Sequence, residues 1–141
     1  MQIHNQLPKP NQKGFTLLEV IIVIIIIGVL ASLALPRFFS TIEYARGVEG
    51  MLSLASVRQS VERCYMMRRD YTNCNFPLLD MEDPATSPGA HFTYSILGEV
   101  NGYTITAIRN TRDGGTGGTI SVIFDGTNIS RTGTGPFGAI Q

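Results

Sequence analysis

The feature that most constrains this chain is residues 15–35, FTLLEVIIVIIIIGVLASLAL, an apolar run interrupted by a single acid, Glu19. Its 21 residues match the roughly 20 that a helix needs to cross a bilayer. Both lysines, Lys9 and Lys13, precede the run, and the nine basic residues after it are all arginine. Positive residues on the N-terminal side hold that end in the cytoplasm and send the remainder across. Eleven basic residues balance eleven acidic ones, so the clustered positive excess that marks a nucleic-acid binder is missing.

An ordinary secretory signal is the competing reading. A basic n-region, an apolar h-region and the small residues of Ser32-Leu33-Ala34 are its ingredients. The run is long for an h-region, however, and Glu19 lies in its first turn. An acid at mid-membrane costs about 2.5–3.5 kcal/mol on insertion scales, less near the edge. A discarded signal has no reason to carry that cost. An ionisable residue in lipid is by default functional, with a partner to be named. A cut between Gly14 and Phe15 would create one: a free, positive α-amine four residues from Glu19. The carboxylate would then meet its own amine, or that of a staggered neighbouring copy, where the low dielectric strengthens the attraction. Assembly would neutralise the acid.

The segment KGFTLLEVIIVIIIIGVLASLALPRF, Lys13 to Phe38, resembles the N-terminal signature of type IV pilins and type II secretion pseudopilins. The resemblance covers some 25 residues and rests on Lys13-Gly14, Phe15, Thr16, Glu19, Gly28 and Pro36 in register. It implies cleavage after Gly14 by a prepilin peptidase on the cytoplasmic side and N-methylation of Phe15, which leaves the amine cationic. Phe15, Thr16 and Glu19 become the assembly residues.

Beyond the run, Pro36 removes a backbone donor and crowds the carbonyl of Ser32. Gly28 costs about 1 kcal/mol relative to alanine. Gly28–Pro36 is therefore the weakest part of the helix, and two readings stay open: a joint that melts in the filament, as in related pili, or a simple bend. After Pro36 the pattern is two-faced, with Arg46, Glu49, Ser53, Ser56, Ser60 and Arg63 polar and Tyr44, Val48, Met51, Leu54, Val57, Val61 and Cys64 apolar. Arg58 and Glu62 form an i,i+4 pair. One helix is expected from Phe15 to Arg68, with Gly47 and Gly50 marking either a bend or close packing.

Cys64 and Cys74 enclose nine residues. If this part is exported, a disulfide is the default, stabilising by about 2–3 kcal/mol; two free buried thiols are the other reading. The following loop carries Pro77, Pro84 and Pro88 with Asp80, Glu82 and Asp83. Without a dense ligand pattern and turn glycine, it reads as a solvated acidic loop rather than a calcium site.

HFTYSIL (91–97), YTITAIR (103–109), TISVIFD (119–125) and NISR (128–131) alternate at period two between Gly/Asn turns. They predict an antiparallel meander whose apolar face covers the helix. The expected fold is α+β: a long N-terminal helix on a C-terminal antiparallel sheet of about four strands. Its parts are a leader (1–14), a membrane or filament-core half-helix (15–36), an amphipathic half-helix (37–68), a disulfide-anchored loop (69–90) and the sheet region (91–141). DGGTGGT (113–119) lacks the Lys-Ser/Thr of a phosphate loop and reads as an inter-strand loop. Asn128-Ile129-Ser130 fits a glycosylation triplet by chance. His4 lies in the leader and His91 has no catalytic partner in sequence, so neither an enzyme nor a metal or other cofactor is expected.

The resemblance implies a pilin that polymerises into a surface filament. Its partners would be further copies of itself, minor pilins, the prepilin peptidase, the inner membrane before assembly and the pilus assembly machinery. Nucleic acid is not expected, although Arg68 and Arg69 adjoin Tyr65 and Tyr71. The alternatives are a pseudopilin of a type II secretion system, and a signal-anchored or secreted binding module. The first residue of the mature chain separates them: Phe15 for either pilin-like reading, Leu35 for a secreted module, Met1 for an anchor.

Overall fold

A computed structural model describes residues 14–140. The rest of the leader, with Lys9, Lys13 and His4, lies outside the described residues. One helix, α1 (Leu17–Arg68, 52 residues), contains Pro36 and is followed by strands β1 (Phe92–Gly98), β2 (Tyr103–Arg109), β3 (Thr119–Phe124) and β4 (Ile129–Gly133). Short 3-10 turns at Phe76–Leu78, Pro84–Thr86 and Gly135–Phe137 each carry proline in the first turn, where the lost N–H is not needed. α1 stops at Arg69, which takes φ 61°. That left-handed position usually belongs to glycine and costs another residue about 1–2 kcal/mol.

The chain divides into two units between Arg37 and Phe38. In the first, the described residues are helical from Leu17 and expose nearly every apolar side chain. The second holds the rest of α1 and the sheet, whose order β1-β2-β3-β4 is a four-stranded antiparallel meander. The α+β architecture is the one expected. Phe92, Tyr103, Ile105, Ala107, Ile120 and Val122 from the sheet join Leu54, Val57 and Val61 from α1 in one buried core.

The helix face differs from the expected one. The buried positions are Glu43, Gly47, Gly50, Leu54, Val57, Val61 and Cys64, at alternating four- and three-residue steps, with Ser60 beside them. Tyr44 and Val48, assigned above to the apolar stripe, are exposed. Two glycines turn this face inward. A Cβ on Gly47 would lie 2.8 Å from the Phe137 ring, and one on Gly50 would lie 3.0 Å from Phe92. The rings press on the helix backbone, so Gly47 and Gly50 mark close packing. Ser60, assigned above to the polar stripe, is buried because its hydroxyl donates to Asp80, which also accepts from Arg63. The Arg58–Glu62 ion pair does not form among the described residues. Glu62 instead accepts hydrogen bonds from Tyr71 (3.0 Å) and Tyr103 (2.7 Å).

Cys64 and Cys74 form a disulfide with Cα atoms 6.0 Å apart, tying the last turns of α1 to the loop that follows. Asp83 caps its 3-10 turn by accepting from the Ala85 N–H at 2.9 Å. With Asp80 held by Ser60 and Arg63, the acidic loop is anchored by its own carboxylates rather than simply solvated.

Candidate functional site

The start of α1 is built by three residues. The Thr16 carbonyl accepts the first helical bond, from the Val20 N–H at 3.3 Å. Thr16 Oγ1 accepts from the Glu19 N–H at 3.2 Å, and Glu19 Oε2 accepts from the Thr16 N–H at 3.4 Å. This reciprocal pair is a capping box: it satisfies two of the four N–H groups that a helix start leaves without partners. An acid in the first turn also faces the positive end of the helix dipole. Glu19 thus has a local structural task, which the pairing argument above did not include. The signal was present in the sequence as Thr-x-x-Glu before an apolar run. Glu19 Oε1 carries no hydrogen bond among the described residues.

Phe15 directly precedes this box and is 84 % exposed. Together, Phe15, Glu19, Val20 and Val23 line an open notch. Gly14 has free space around it, as does Gly28 farther along the helix. Ser32 bonds back to the Val29 carbonyl at 2.7 Å, and Pro36 lies inside the continuous helix. Thr16 and Glu19 are therefore joined by hydrogen bonds beside Phe15. Cys64 and Cys74 belong to the second unit and staple the domain.

A second polar assembly was not visible in the sequence. Arg109, with its side chain fully buried, donates from Nε and Nη2 to both oxygens of Glu43 and from Nη2 to Asp113. Arg46 pairs with the same two acids. The Arg109 hydrogen bonds above all hold the Asp113 carboxyl down at about 2. Asp113 opens the Gly-rich segment 113–119, which is anchored to α1 through this cluster rather than hanging free between strands. In the tyrosine pair, burial first and the Glu62 carboxylate second push Tyr71 up to about 12. Each of these groups is satisfied inside the protein, which suits a framework and leaves the helix start as the candidate for assembly.

Comparison with known proteins finds a family motif on the same segment and longer matches to individual relatives. Residues 9–35 match the family described as the prokaryotic N-terminal methylation motif. The chain is 34% identical over 83 residues to the type IV narrow pilus major component PilA5 of Thermus thermophilus, covering 59% of this chain and 71% of that protein. It is 35% identical over 66 residues to the type IV major fimbrial protein FimA of Dichelobacter nodosus, covering 47% and 42% respectively. It is 30% identical over 90 residues to the type II secretion system core protein G of Escherichia coli K12, covering 64% and 62%. The match thus spans less than half the length of the fimbrial relative. No solved structure matches the chain.

Proposed function

The chain belongs to the family of type IV pilins and type II secretion pseudopilins, and from that premise we propose that it is a pilus subunit that polymerises through its N-terminal helix. The observation that carries this reading is the capping box of Thr16 and Glu19 at the head of an exposed apolar helix, directly after Gly14-Phe15. Apolar side chains exposed over several turns need lipid or other copies of the same helix to cover them. On this reading, the precursor sits in the inner membrane with its N-terminus in the cytoplasm. Prepilin peptidase cuts after Gly14 and methylates Phe15, and the new amine adds a positive charge one turn from Glu19. In the uncut chain Phe15 carries a peptide N–H there. Cleavage therefore adds to the capped helix start a charge opposite to that of Glu19, which a neighbouring copy can share. The protein is a structural component, with no reaction of its own.

The test is the intact mass of protein recovered from cells. A start at methylated Phe15, lost when Gly14 is replaced by a bulky residue, is expected; a start at Leu35 overturns the reading.

A second reading is favoured by the 30% identity to secretion core protein G over 90 residues: the same helix chemistry would build a short pseudopilus. Imaging of the native filament, on the cell surface or confined to the envelope, separates the two.

A further inference from the structure

The second unit carries an open groove of ≈ 360 Å³ between the end of α1 and the β1–β2 and β3–β4 turns. Its floor is aromatic. Tyr65 stacks on Tyr71 with ring centroids 4.2 Å apart and planes within 13°, and Phe124 meets Tyr71 edge-on at 6.0 Å. Tyr71 is nearly buried and its hydroxyl is held by Glu62, so the floor is fixed. Its rim is polar: Asn101, Asp125 and Thr127.

These polar groups differ from the other clusters of the domain. The carboxylates of Asp80, Asp113 and Glu43 are all occupied by side chains of the protein. At the groove, Asp125 uses only Oδ1, which accepts from the Thr127 and Asn128 N–H groups. Asp125 Oδ2, the Asn101 amide, the Thr127 hydroxyl and the Tyr65 hydroxyl make no hydrogen bond among the described residues. The walls are set by backbone contact. The Tyr71 carbonyl abuts Gly98, and the Asn101 carbonyl would lie 2.8 Å from a Cβ on Gly126. Side chains at those glycines would force the loops apart.

We propose that this groove is a binding site for a neutral sugar unit of a glycan. A pyranose presents an apolar C–H face that stacks on an aromatic ring, and vicinal hydroxyls that each donate and accept. A carboxylate oxygen, an amide and a hydroxyl lining the same groove as Tyr65 and Phe124 complement that pattern, and a few polar groups beside aromatic side chains are the usual make-up of a small-ligand site. A phosphodiester fits poorly, because the rim holds a carboxylate and no basic residue lines the groove. A proline-rich segment also fits poorly, because it lacks the N–H donors that Asp125 Oδ2 requires.

The test uses the unassembled full-length chain in detergent, so that it does not depend on filament formation. The probe is an array of neutral oligosaccharides built from glucose, galactose and N-acetylglucosamine, beside sialylated glycans, a single-stranded oligodeoxynucleotide and a proline-rich peptide. Retention on at least one neutral glycan is expected. The double variant Asn101→Ala/Thr127→Ala, at exposed positions, should weaken it about tenfold or more. Tyr65→Ala should weaken it likewise, while Tyr65→Phe keeps the stacking face and stays within about threefold. The chain has no tryptophan, so a change in tyrosine emission on titrating the retained glycan reports the floor directly. The Cys64–Cys74 disulfide and the thermal transition confirm folding; if Tyr65→Ala misfolds, the rim variant decides. No retention on any neutral glycan, retention untouched by the rim variant, or preference for the oligonucleotide or the peptide would each overturn the proposal.

Discussion

Glu43 and Arg109, 66 residues apart in the chain, face each other as a two-pronged pair: Nε donates to Oε2 and Nη2 to Oε1, both at 3.1 Å. Glu43 stands on α1 just after the boundary between the two units, and Arg109 closes β2. The same guanidinium donates to the His91 and Asn110 carbonyls and to Asp113. One arginine therefore clamps the helix, the start of β1 and the Gly-rich loop.

Removing the arginine leaves the Glu43 and Asp113 carboxylates with Arg46 as the one arginine they still share. Arg109→Leu should destabilise the domain by about 3–5 kcal/mol, the usual result of breaking a buried pair from one side. Arg109→Lys should recover only part of this, because an ammonium cannot form the fork. Chemical denaturation of the two variants checks the order. Equal stability of Arg109→Lys and the parent would show that charge alone suffices.

Acid should loosen the same cluster. Hydrogen bonds from Arg109 hold Asp113 at about 2, and those from Arg63 and then Ser60 hold Asp80 well below the ordinary carboxylate range. Both values are depressed on folding. Their stabilisation is therefore complete above the unfolded value of about 3.9 and is lost as pH falls through the folded values. The urea midpoint should drop between about pH 4 and about pH 2, and Asp113→Asn should flatten that drop. An unchanged slope in the variant would remove Asp113 from the account.

Gly47→Ala tests packing against propensity. Alanine favours the helix by about 1 kcal/mol. Its Cβ would, however, sit 2.8 Å from Phe137 Cδ1 and 3.1 Å from Ile140 Cδ1, and the Phe137 ring is fully buried with little room to move. Overpacking of this kind costs about 1–3 kcal/mol, so the thermal midpoint should fall. A rise would mean that the C-terminal segment yields to the methyl group.

At Glu19, two substitutions separate two roles. Glutamine retains the capping box, since Gln serves at the same position as Glu, but deletes the charge. Alanine deletes both. Neither should alter the sheet domain. Glu19→Gln is expected to insert, be cleaved and carry an intact first turn, yet fail to assemble in register. Glu19→Ala should in addition fray the helix start by about 0.3–1 kcal/mol. Filament yield from negative-stain imaging, with helicity by circular dichroism, reads the two effects apart. Abundant filaments from Glu19→Gln would assign Glu19 to capping alone.

Much of the architecture is local and so was legible in the chain. The apolar run, the period-two strands with their Gly/Asn turns and the arrest of α1 at Arg68 each depend on neighbours a few residues away. The disulfide followed from cysteine spacing and an exported location. The capping box was equally local, written in Thr16 and Glu19.

What tertiary structure alone decided is which way things face. Hydropathy put Tyr44 and Val48 in the core, but the buried face runs through Glu43, Gly47 and Gly50. Rings from Phe92 and Phe137, 42 and 90 positions downstream of Gly50 and Gly47, need the absence of a side chain there. Glu43 is buried only because Arg109 arrives opposite it, and Ser60 only because Asp80 does. Likewise Glu62 left its helical neighbour Arg58 for two tyrosines, one of them on β2. A polar group loses its water when a distant partner replaces it. Its own sequence neighbourhood carries no record of that partner. The helix and the strands were thus determined segment by segment, while the face each turns inward was settled by the pairings that folding brings together.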